Sequence, residues 1–462
     1  MIPQRVMGVE TEFGIMCARE SGGEPPLDAE SAAAELFAPI VASGRSTNSF
    51  LPNGARLYLD VGAHPEYATA ECRSVVDLVA NDRAGELLYA SMAAQADARL
   101  AKKGVHGRIH LFKNNVDAGG NSFGCHENYL VRRRPDYRNR IAATLPYFVT
   151  RQIVAGAGYI RRAKDGSAAY CFSQRADQMW EAISSASTRS RPMINTRDEP
   201  HGDPELYRRM HVIVGDSNMC EVTTALKVAA TQAILVMLED GGMLPKMELA
   251  DPMAAIRATS ADLSGRAPLD LVDGGTITPI EIQERTREAV LRHYDAKGYM
   301  SELDASTSYL LDLWGRAVES VKSGDYSAIE TEIDWAAKLS LFSRYQERTG
   351  ANLNDARMFR LDLAYHDITA AGLRPSMEEN GMLRTFVRPE AAVAASTTPP
   401  ADTRAKLRGE FIAKARERRL DHAVDWMNLR LLEAEGTRTV ILKDPFAAVD
   451  DRVERLLEEM DR

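Results

Sequence analysis

The chain has 462 residues, of which 45% are hydrophobic and 27% charged, and its formal net charge is −9. A chain of this length can bury a large core, so we expect two or three domains. Proteins that bind nucleic acid or anionic membranes are more often basic, so the acidic balance argues against both partners. The five cysteines are scattered without a CxxC pair, which favours a reducing cytoplasm and argues against a compact zinc site.

The sequence shows no targeting or membrane-spanning segment. Residues 1–5 are not followed by the apolar run of a signal peptide. The most apolar window, residues 225–238, is interrupted by polar side chains and is too short to cross a bilayer. We therefore expect a buried helix there and a cytoplasmic location for the protein.

The first predicted element is a strand over residues 5–15. Glu10 and Glu12 are two positions apart, so they share one face of that strand. Two neighbouring carboxylates repel each other unless a cation lies between them, and carboxylate oxygens suit a hard cation such as Mg²⁺. A plain pair of surface glutamates has the same pattern.

Two helices and a hairpin follow. Asp28 is typical of the N-cap of a helix that runs to about residue 41, and Ser74 opens a second helix that runs to residue 103. Between them, an Asn-Gly pair predicts a tight turn into a strand whose polar face carries Arg56, Tyr58 and Asp60. Glu66 comes soon after the strand. A salt-bridged outer face is the alternative interpretation.

The middle of the chain combines strands with a dense group of arginines. We predict strands over residues 108–114, 126–131 and 211–215, and His126 shares a face with Asn128. Residues 184–217 are rich in arginine, and the guanidinium fork matches phosphate and carboxylate oxygens. Ion pairs with nearby acidic residues would explain the same composition.

Beyond residue 222 the apolar spacing is mostly helical. We predict helices over residues 222–240, 278–296, 303–323, 328–348 and 355–370. An Ala/Ser/Thr/Pro stretch then predicts an interdomain linker over residues 389–402. The predicted domains are therefore 1–388 and a small α+β domain, 403–462, which is marginal in size and should dock on the first domain.

The polar groups predict a particular kind of site. No GxxxxGK[ST] phosphate loop exists in the sequence. The alternative is an antiparallel sheet whose carboxylates hold nucleotide phosphates through metal ions, with arginines neutralising the remaining charge. The residues that could form this cradle are Glu10, Glu12, Tyr58, Asp60, Glu66 and His211.

Several motifs resemble the carboxylate–amine ligase superfamily of glutamine synthetase and glutamate–cysteine ligase, and most closely the Pup ligase (proteasome accessory factor A) family. The resemblance spans essentially the whole chain. The segments that carry it are 7–14 (MGVETEFG), 53–62 (NGARLYLDVG), 64–71 (HPEYATAE), 111–115 (LFKNN), 124–129 (GCHENY), 187–192 (STRSRP), 197–201 (RDEPH), 211–216 (HVIVGD) and 424–426 (VDW).

The resemblance implies a fold, a chemistry and a set of site residues. The fold is α+β, with a glutamine synthetase-like curved antiparallel sheet packed on helices and a small C-terminal α+β domain. The resemblance also implies that the protein uses ATP and Mg²⁺ and that Asp60 is the catalytic base. The metal residues would be Glu10, Tyr58 and Glu66, and the ATP contacts would be Arg56, Thr69 and Trp426. Because Glu66 and Thr69 are three positions apart, we expect a loop or bulge between them.

The implied activity joins the C-terminal glutamate of Pup to lysines of target proteins through a γ-glutamyl phosphate, which tags them for proteasomal degradation. The base matters because a free lysine has a pKa of about 10.4 and is mostly unreactive ammonium. Two alternatives stay open: a depupylase or Pup deamidase of the same fold, and a small-molecule glutamate–amine ligase. The depupylases of this family carry a long insertion soon after the first strand, and they tend to lack a Val-Gly step after the aspartate. Here residues 16–27 contain no such insertion, and residues 60–62 read Asp-Val-Gly, so both features favour the ligase.

Overall fold

The computed structural model describes residues 1–19, 22–43, 45–60, 62–117, 119–163, 165–185, 191–434 and 436–461. Val61 and residues 187–190 of the motifs above lie outside these ranges. So do residues 186–190 of the arginine-rich segment.

A large mixed sheet forms the centre of the molecule. Its strand order is β10-β11-β12-β7-β1-β5-β4-β3, and every pairing is antiparallel except that of β10 with β11. The strands of the described residues are β1 (Met7–Glu12), β2 (Gly14–Ala18), β3 (Asn48–Phe50), β4 (Arg56–Asp60), β5 (His64–Ala68), β6 (Arg108–Phe112), β7 (Cys125–Arg132), β8 (Tyr159–Arg162), β9 (Ala168–Cys171), β10 (Glu181–Ser184), β11 (Pro192–Asn195), β12 (Tyr207–Val212), β13 (Leu269–Asp270), β14 (Thr276–Ile277), β15 (His422–Val424), β16 (Asn428–Glu433) and β17 (Gly436–Ile441).

Helices pack against the apolar face of this sheet and leave the polar face free. Both α2 and α6 contact the sheet, and the side chains beneath it form two apolar clusters. The helices of the described residues are α1 (Ala29–Ala42), α2 (Val75–Lys102), α3 (Tyr137–Ala142), α4 (Leu145–Thr150), α5 (Gln152–Ala155), α6 (Glu221–Glu239), α7 (Pro252–Ala261), α8 (Pro279–Ala296), α9 (Ala305–Ser323), α10 (Asp334–Thr349), α11 (Ala356–His366), α12 (Arg374–Glu379), α13 (Pro389–Ala395), α14 (Arg404–Glu417) and α15 (Asp451–Glu459).

Several local predictions are confirmed. Asp28 and Ser74 cap α1 and α2, each accepting a hydrogen bond from a backbone N–H of the first turn. The Asn-Gly turn before β4 holds Gly54 at a φ of 79°. The helix α6 is apolar and long enough to cross a membrane, but 94% of its most apolar stretch is buried inside the fold. The prediction of a buried helix is therefore confirmed.

Other local predictions are wrong. The strand predicted over residues 5–15 is two strands, because the chain leaves the central sheet after Glu12 and β2 pairs with β6 in a separate sheet. The expected irregularity after Glu66 lies further along. Thr69 still pairs with Val9, but Cys72 pairs with Met7. The segment that follows β5 therefore contains one extra residue between Thr69 and Cys72.

The predicted linker region is partly ordered as a helix. Its first residues form α13, which packs against α2, and Ala392 and Ala395 are buried. The amide of Asn53 donates a hydrogen bond to the carbonyl of Ala395 at 2.9 Å. The segment is therefore held against the body of the protein, and the division into domains 1–388 and 403–462 stays a prediction.

The C-terminal region docks on the central sheet through a buried ionic contact. Its own core, formed by α14, α15 and the sheet β15-β16-β17, includes Phe50 from β3. Arg404 and Arg408 on α14 both bond the carboxylate of Glu71, and Arg408 also donates to the carbonyl of Gly54. Burial alone would raise the pKa of Glu71, but the two arginines outweigh it and lower this pKa to about 2.

We expect Glu71→Gln to lower the free energy of unfolding by about 3–5 kcal/mol, because two buried guanidinium groups lose their counter-charge. The folded pKa of about 2 lies below the ordinary 4.5. The contribution of the carboxylate is therefore complete above about pH 4.5, and the difference between the two proteins should shrink as pH falls towards 2. Denaturant unfolding at several pH values measures this.

The matched control is Glu433→Gln. Glu433 also pairs with an arginine, Arg438, at 3.0 Å, but on the surface. A surface pair contributes less than about 1 kcal/mol. Equal losses from the two substitutions would contradict a special role for the buried contact.

Candidate functional site

Neighbouring strands line up the polar side chains in two cross-strand rows on the free face of the sheet. The first row contains Arg56, Ala68, Glu10 and His126. The second row contains Tyr58, Glu66 and Glu12. Asp60 lies one step beyond the second row, opposite His64. Gly8, Asn128, His211 and Asn195 form a further row on the other side of the first.

The four levels form a trough along the strand direction. The row of Gly8 and the level of Asp60 are six residues apart along the strands, or about 20 Å at the usual rise of a strand. A cavity of about 80 Å³ occupies the Gly8 end, and its lining includes Glu10, Thr69 and Trp426. Asp60 therefore lies at the end of the trough away from the indole.

Glu10 is the centre of one group of possible ligands. Its carboxylate lies 3.3 Å from Nδ1 of His126 and 3.9 Å from Nε2 of His211, and it accepts a hydrogen bond from Asn128 at 3.0 Å. Burial alone would raise the pKa of Glu10, but the hydrogen bond with His126 and the charge of Arg209 hold it well below its usual range. Burial lowers the pKa of His211 to about 3.

Glu66 is the centre of a second group. Ligand atoms of Glu12, Asp60 and Glu66 lie within 4.8 Å of one another. Burial raises the pKa of Glu66 well above its ordinary value, and the negative charges of Glu10 and Glu12 raise it further. Burial and the negative charges of Glu10 and Glu66 also raise the pKa of Tyr58, so its phenol stays neutral.

Both groups fit divalent cations. Within the described residues, Oε1 of Glu66 and Nε2 of His211 are buried without a hydrogen-bond partner. A row of carboxylates with so few compensating cations is costly unless a bound cation neutralises it. Carboxylate oxygens are the ligands that Mg²⁺ prefers, so the residues present suit this ion.

The predicted nucleotide contacts lie at two places in the trough. The guanidinium of Arg56 lies 4.4 Å from the ring centroid of Tyr58 and donates to the side chain of Asn48. The hydroxyl of Thr69 accepts a hydrogen bond from the backbone of Val9 at 3.1 Å. Trp426 closes the cavity from the C-terminal region, with its ring 4.9 Å from that of Phe50.

The structure adds residues that have no individual role in the sequence patterns. The sequence patterns place Glu12 and His211 in the cradle only in general terms, and His126 only on a strand face. Arg209 lies 4.0 Å from Glu10 and donates to Asn128 at 3.0 Å. Residue spacing could not reveal these groups, because β7 and β12 join β1 through long-range pairing.

Comparison with known proteins gives consistent matches over the whole chain. The model of the family described as Pup-ligase protein matches residues 5–430. The chain is 48% identical to a protein of Sanguibacter keddieii named Pup–protein ligase, with 100% of both chains covered. It is 47% identical to the protein of that name from Mycolicibacterium smegmatis, covering 99% of this chain and 100% of the other.

Two solved structures share the fold. The complex of the prokaryotic ubiquitin-like protein Pup with its ligase PafA matches with a TM-score of 0.93 at 41% identity, covering 99% of this chain and 91% of the other. The Pup ligase PafA in complex with ADP matches with a TM-score of 0.85 at 42% identity, covering 95% of each chain. The α+β fold predicted from the sequence is thereby confirmed.

Proposed function

The chain belongs to the Pup ligase family, and from this premise we propose that it is an ATP-dependent ligase that joins Pup to proteins. The side-chain carboxylate of the C-terminal glutamate of Pup forms an isopeptide bond with a lysine ε-amine of a target protein. Relatives about 48% identical over the full chain bear the name Pup–protein ligase. The observation that carries the proposal is the polar trough, with an aromatic cavity at one end and clustered carboxylates at the other.

We propose that ATP lies along this trough. The base lies in the cavity against Trp426, near Thr69, and the phosphates lie over the row that contains Arg56 and Glu10. The nucleotide-bound relative supports this use of ATP. Arg209, beside Glu10, is placed to neutralise phosphate charge.

Magnesium completes the proposed site. Glu10, Tyr58 and Glu66 would hold it, with Glu12 and His211 adjacent. When bound, Mg²⁺ neutralises the charge on the phosphate oxygens. The neutral phenol of Tyr58 would contribute as an uncharged oxygen or as a hydrogen-bond donor.

The proposed chemistry has two steps. A carboxylate oxygen of the Pup glutamate attacks the γ-phosphorus, the bond to the β–γ bridging oxygen breaks, and ADP leaves. The lysine amine then attacks the acyl carbon, phosphate leaves, and the amine loses a proton. Asp60 takes that proton, because it is the carboxylate at the end of the trough furthest from the cavity proposed for the nucleotide base.

We also propose a cytoplasmic location. All five cysteines are buried and unpaired, as expected for a protein of a reducing compartment. No nucleic-acid or membrane partner is proposed, consistent with the net charge of −9.

We expect the protein, given ATP, Mg²⁺, Pup ending in glutamate and a lysine-bearing protein, to form a covalent conjugate. Its mass should equal the sum of Pup and target minus one water, because an amide replaces a carboxylate and an amine. Intact mass spectrometry measures this, and omission of ATP is the control. Rapid deamidation of glutamine-ended Pup, with no conjugate from the glutamate form, would favour the depupylase alternative.

A further inference from the structure

His201 lies at the edge of the cavity in a conformation that few residue types adopt. Its φ of 46° is in the left-handed region, which it shares, among the non-glycine residues of the described ranges, with Ala63 and Arg419. Left-handed backbone is unfavourable for a residue with a side chain, and it persists where surrounding contacts enforce it. Such positions often belong to functional sites, which is a reason to ask what this side chain does.

The C-terminal region holds this segment through the backbone. Arg404 donates a hydrogen bond to the carbonyl of His201 while it also bonds Glu71. Two residues later, the backbone N–H of Asp203 donates to the carbonyl of Lys443 at 3.0 Å. Because these contacts use main-chain atoms of the segment, the imidazole ring is not needed to maintain them.

The ring of His201 faces the same cavity as the indole of Trp426. The two ring centroids are 6.3 Å apart with an interplanar angle of 40°, and both side chains line the cavity. In the described part of the chain, no group hydrogen-bonds either ring nitrogen. Burial and the charges of Arg209 and Arg404 lower the pKa of His201 to about 4, so the ring is neutral and offers one donor and one acceptor.

We propose that His201 is a specificity-determining residue that contacts the nucleotide base. The base packs on the indole of Trp426, and the neutral imidazole makes a hydrogen bond to its edge. A site built to hydrogen-bond a ligand edge binds poorly when that partner is lost. This inference rests on the proposed use of ATP and adds the residue that recognises the base.

His201→Gly tests the inference because glycine accepts the left-handed backbone and keeps the carbonyl that Arg404 bonds. We expect the KM for ATP to rise about tenfold or more while kcat changes little. Inhibition by inorganic tripolyphosphate, which has no base, should stay within about twofold of the wild type. His201→Asn, which tolerates this backbone and carries a donor and an acceptor, should recover part of the loss.

The matched control is Tyr207→Leu. Tyr207, on β12, also lies next to the C-terminal region, with its ring 6.3 Å from that of Phe446. It should leave the KM for ATP unchanged. A KM for His201→Gly within twofold of the wild type, or an equal weakening of tripolyphosphate, would overturn the inference. Calorimetric titration with ADP compares the nucleotide affinities of His201→Gly and the wild type without turnover. A wild type that forms no conjugate would therefore count against the proposed function alone, and the titration would still test the inference.

Discussion

Replacement of Glu10 by alanine should reduce ATP-dependent conjugation by at least about 100-fold without unfolding the protein. Glu10 is the carboxylate shared by the first row and by the group with His126 and His211. Its loss removes a ligand from the proposed metal site and leaves the two imidazoles without their nearest carboxylate. The apolar side of the sheet is untouched, so the melting temperature should change little. Conjugation at increasing Mg²⁺ and thermal unfolding measure the two effects.

The matched control is Glu199→Ala. Glu199 also lies near Arg209, at 3.7 Å, but it pairs with Arg197 at the surface and lies outside both ligand groups. It should retain nearly full activity. If Glu10→Ala turned over normally at saturating Mg²⁺, the assignment of this row to the metal and phosphates would be wrong.

Local sequence rules were enough for the elements that build the trough. The alternation of Arg56, Tyr58 and Asp60 and the shared face of Glu10 and Glu12 follow from the two-residue period of a strand, and both are confirmed. The N-caps of α1 and α2 follow from hydrogen bonds of the first turn, which are also local. The family resemblance then supplied a chemistry that these patterns alone left open.

What the sequence could not provide was the pairing of distant strands. The division of residues 5–15 into β1 and β2 depends on β6, which comes about a hundred residues later. Likewise, His211 meets Glu10 only because β7 lies between their strands. The extra residue after Thr69 reflects the pairing of Cys72 with Met7, which no local signal encodes. The linker composition likewise did not reveal that α13 packs on α2.

Asp60→Asn should nearly abolish conjugation to lysine, by about 10²–10⁴-fold, while nucleotide affinity changes little. Asparagine keeps the shape of the side chain and removes its ability to take a proton. Asp60 lies in a group of three carboxylates with Glu12 and Glu66, so the substitution also relieves charge repulsion. The free energy of unfolding should therefore stay the same or increase. Conjugate formation, ADP binding and denaturant unfolding provide the three measurements.

An experiment with hydroxylamine distinguishes two possible roles of the Asp60 carboxylate, that of the general base and that of a metal ligand. This nucleophile is already unprotonated at neutral pH, so it can attack γ-glutamyl phosphate without a protein base. With Asp60→Asn, ATP and Pup, the hydroxamate of the C-terminal glutamate should form at nearly the wild-type rate, although lysine conjugates do not. Glu12→Gln is the matched control, because it makes the same change of charge in the same group without removing the proposed base. Loss of hydroxamate together with nucleotide affinity in Asp60→Asn would show instead that Asp60 holds the metal.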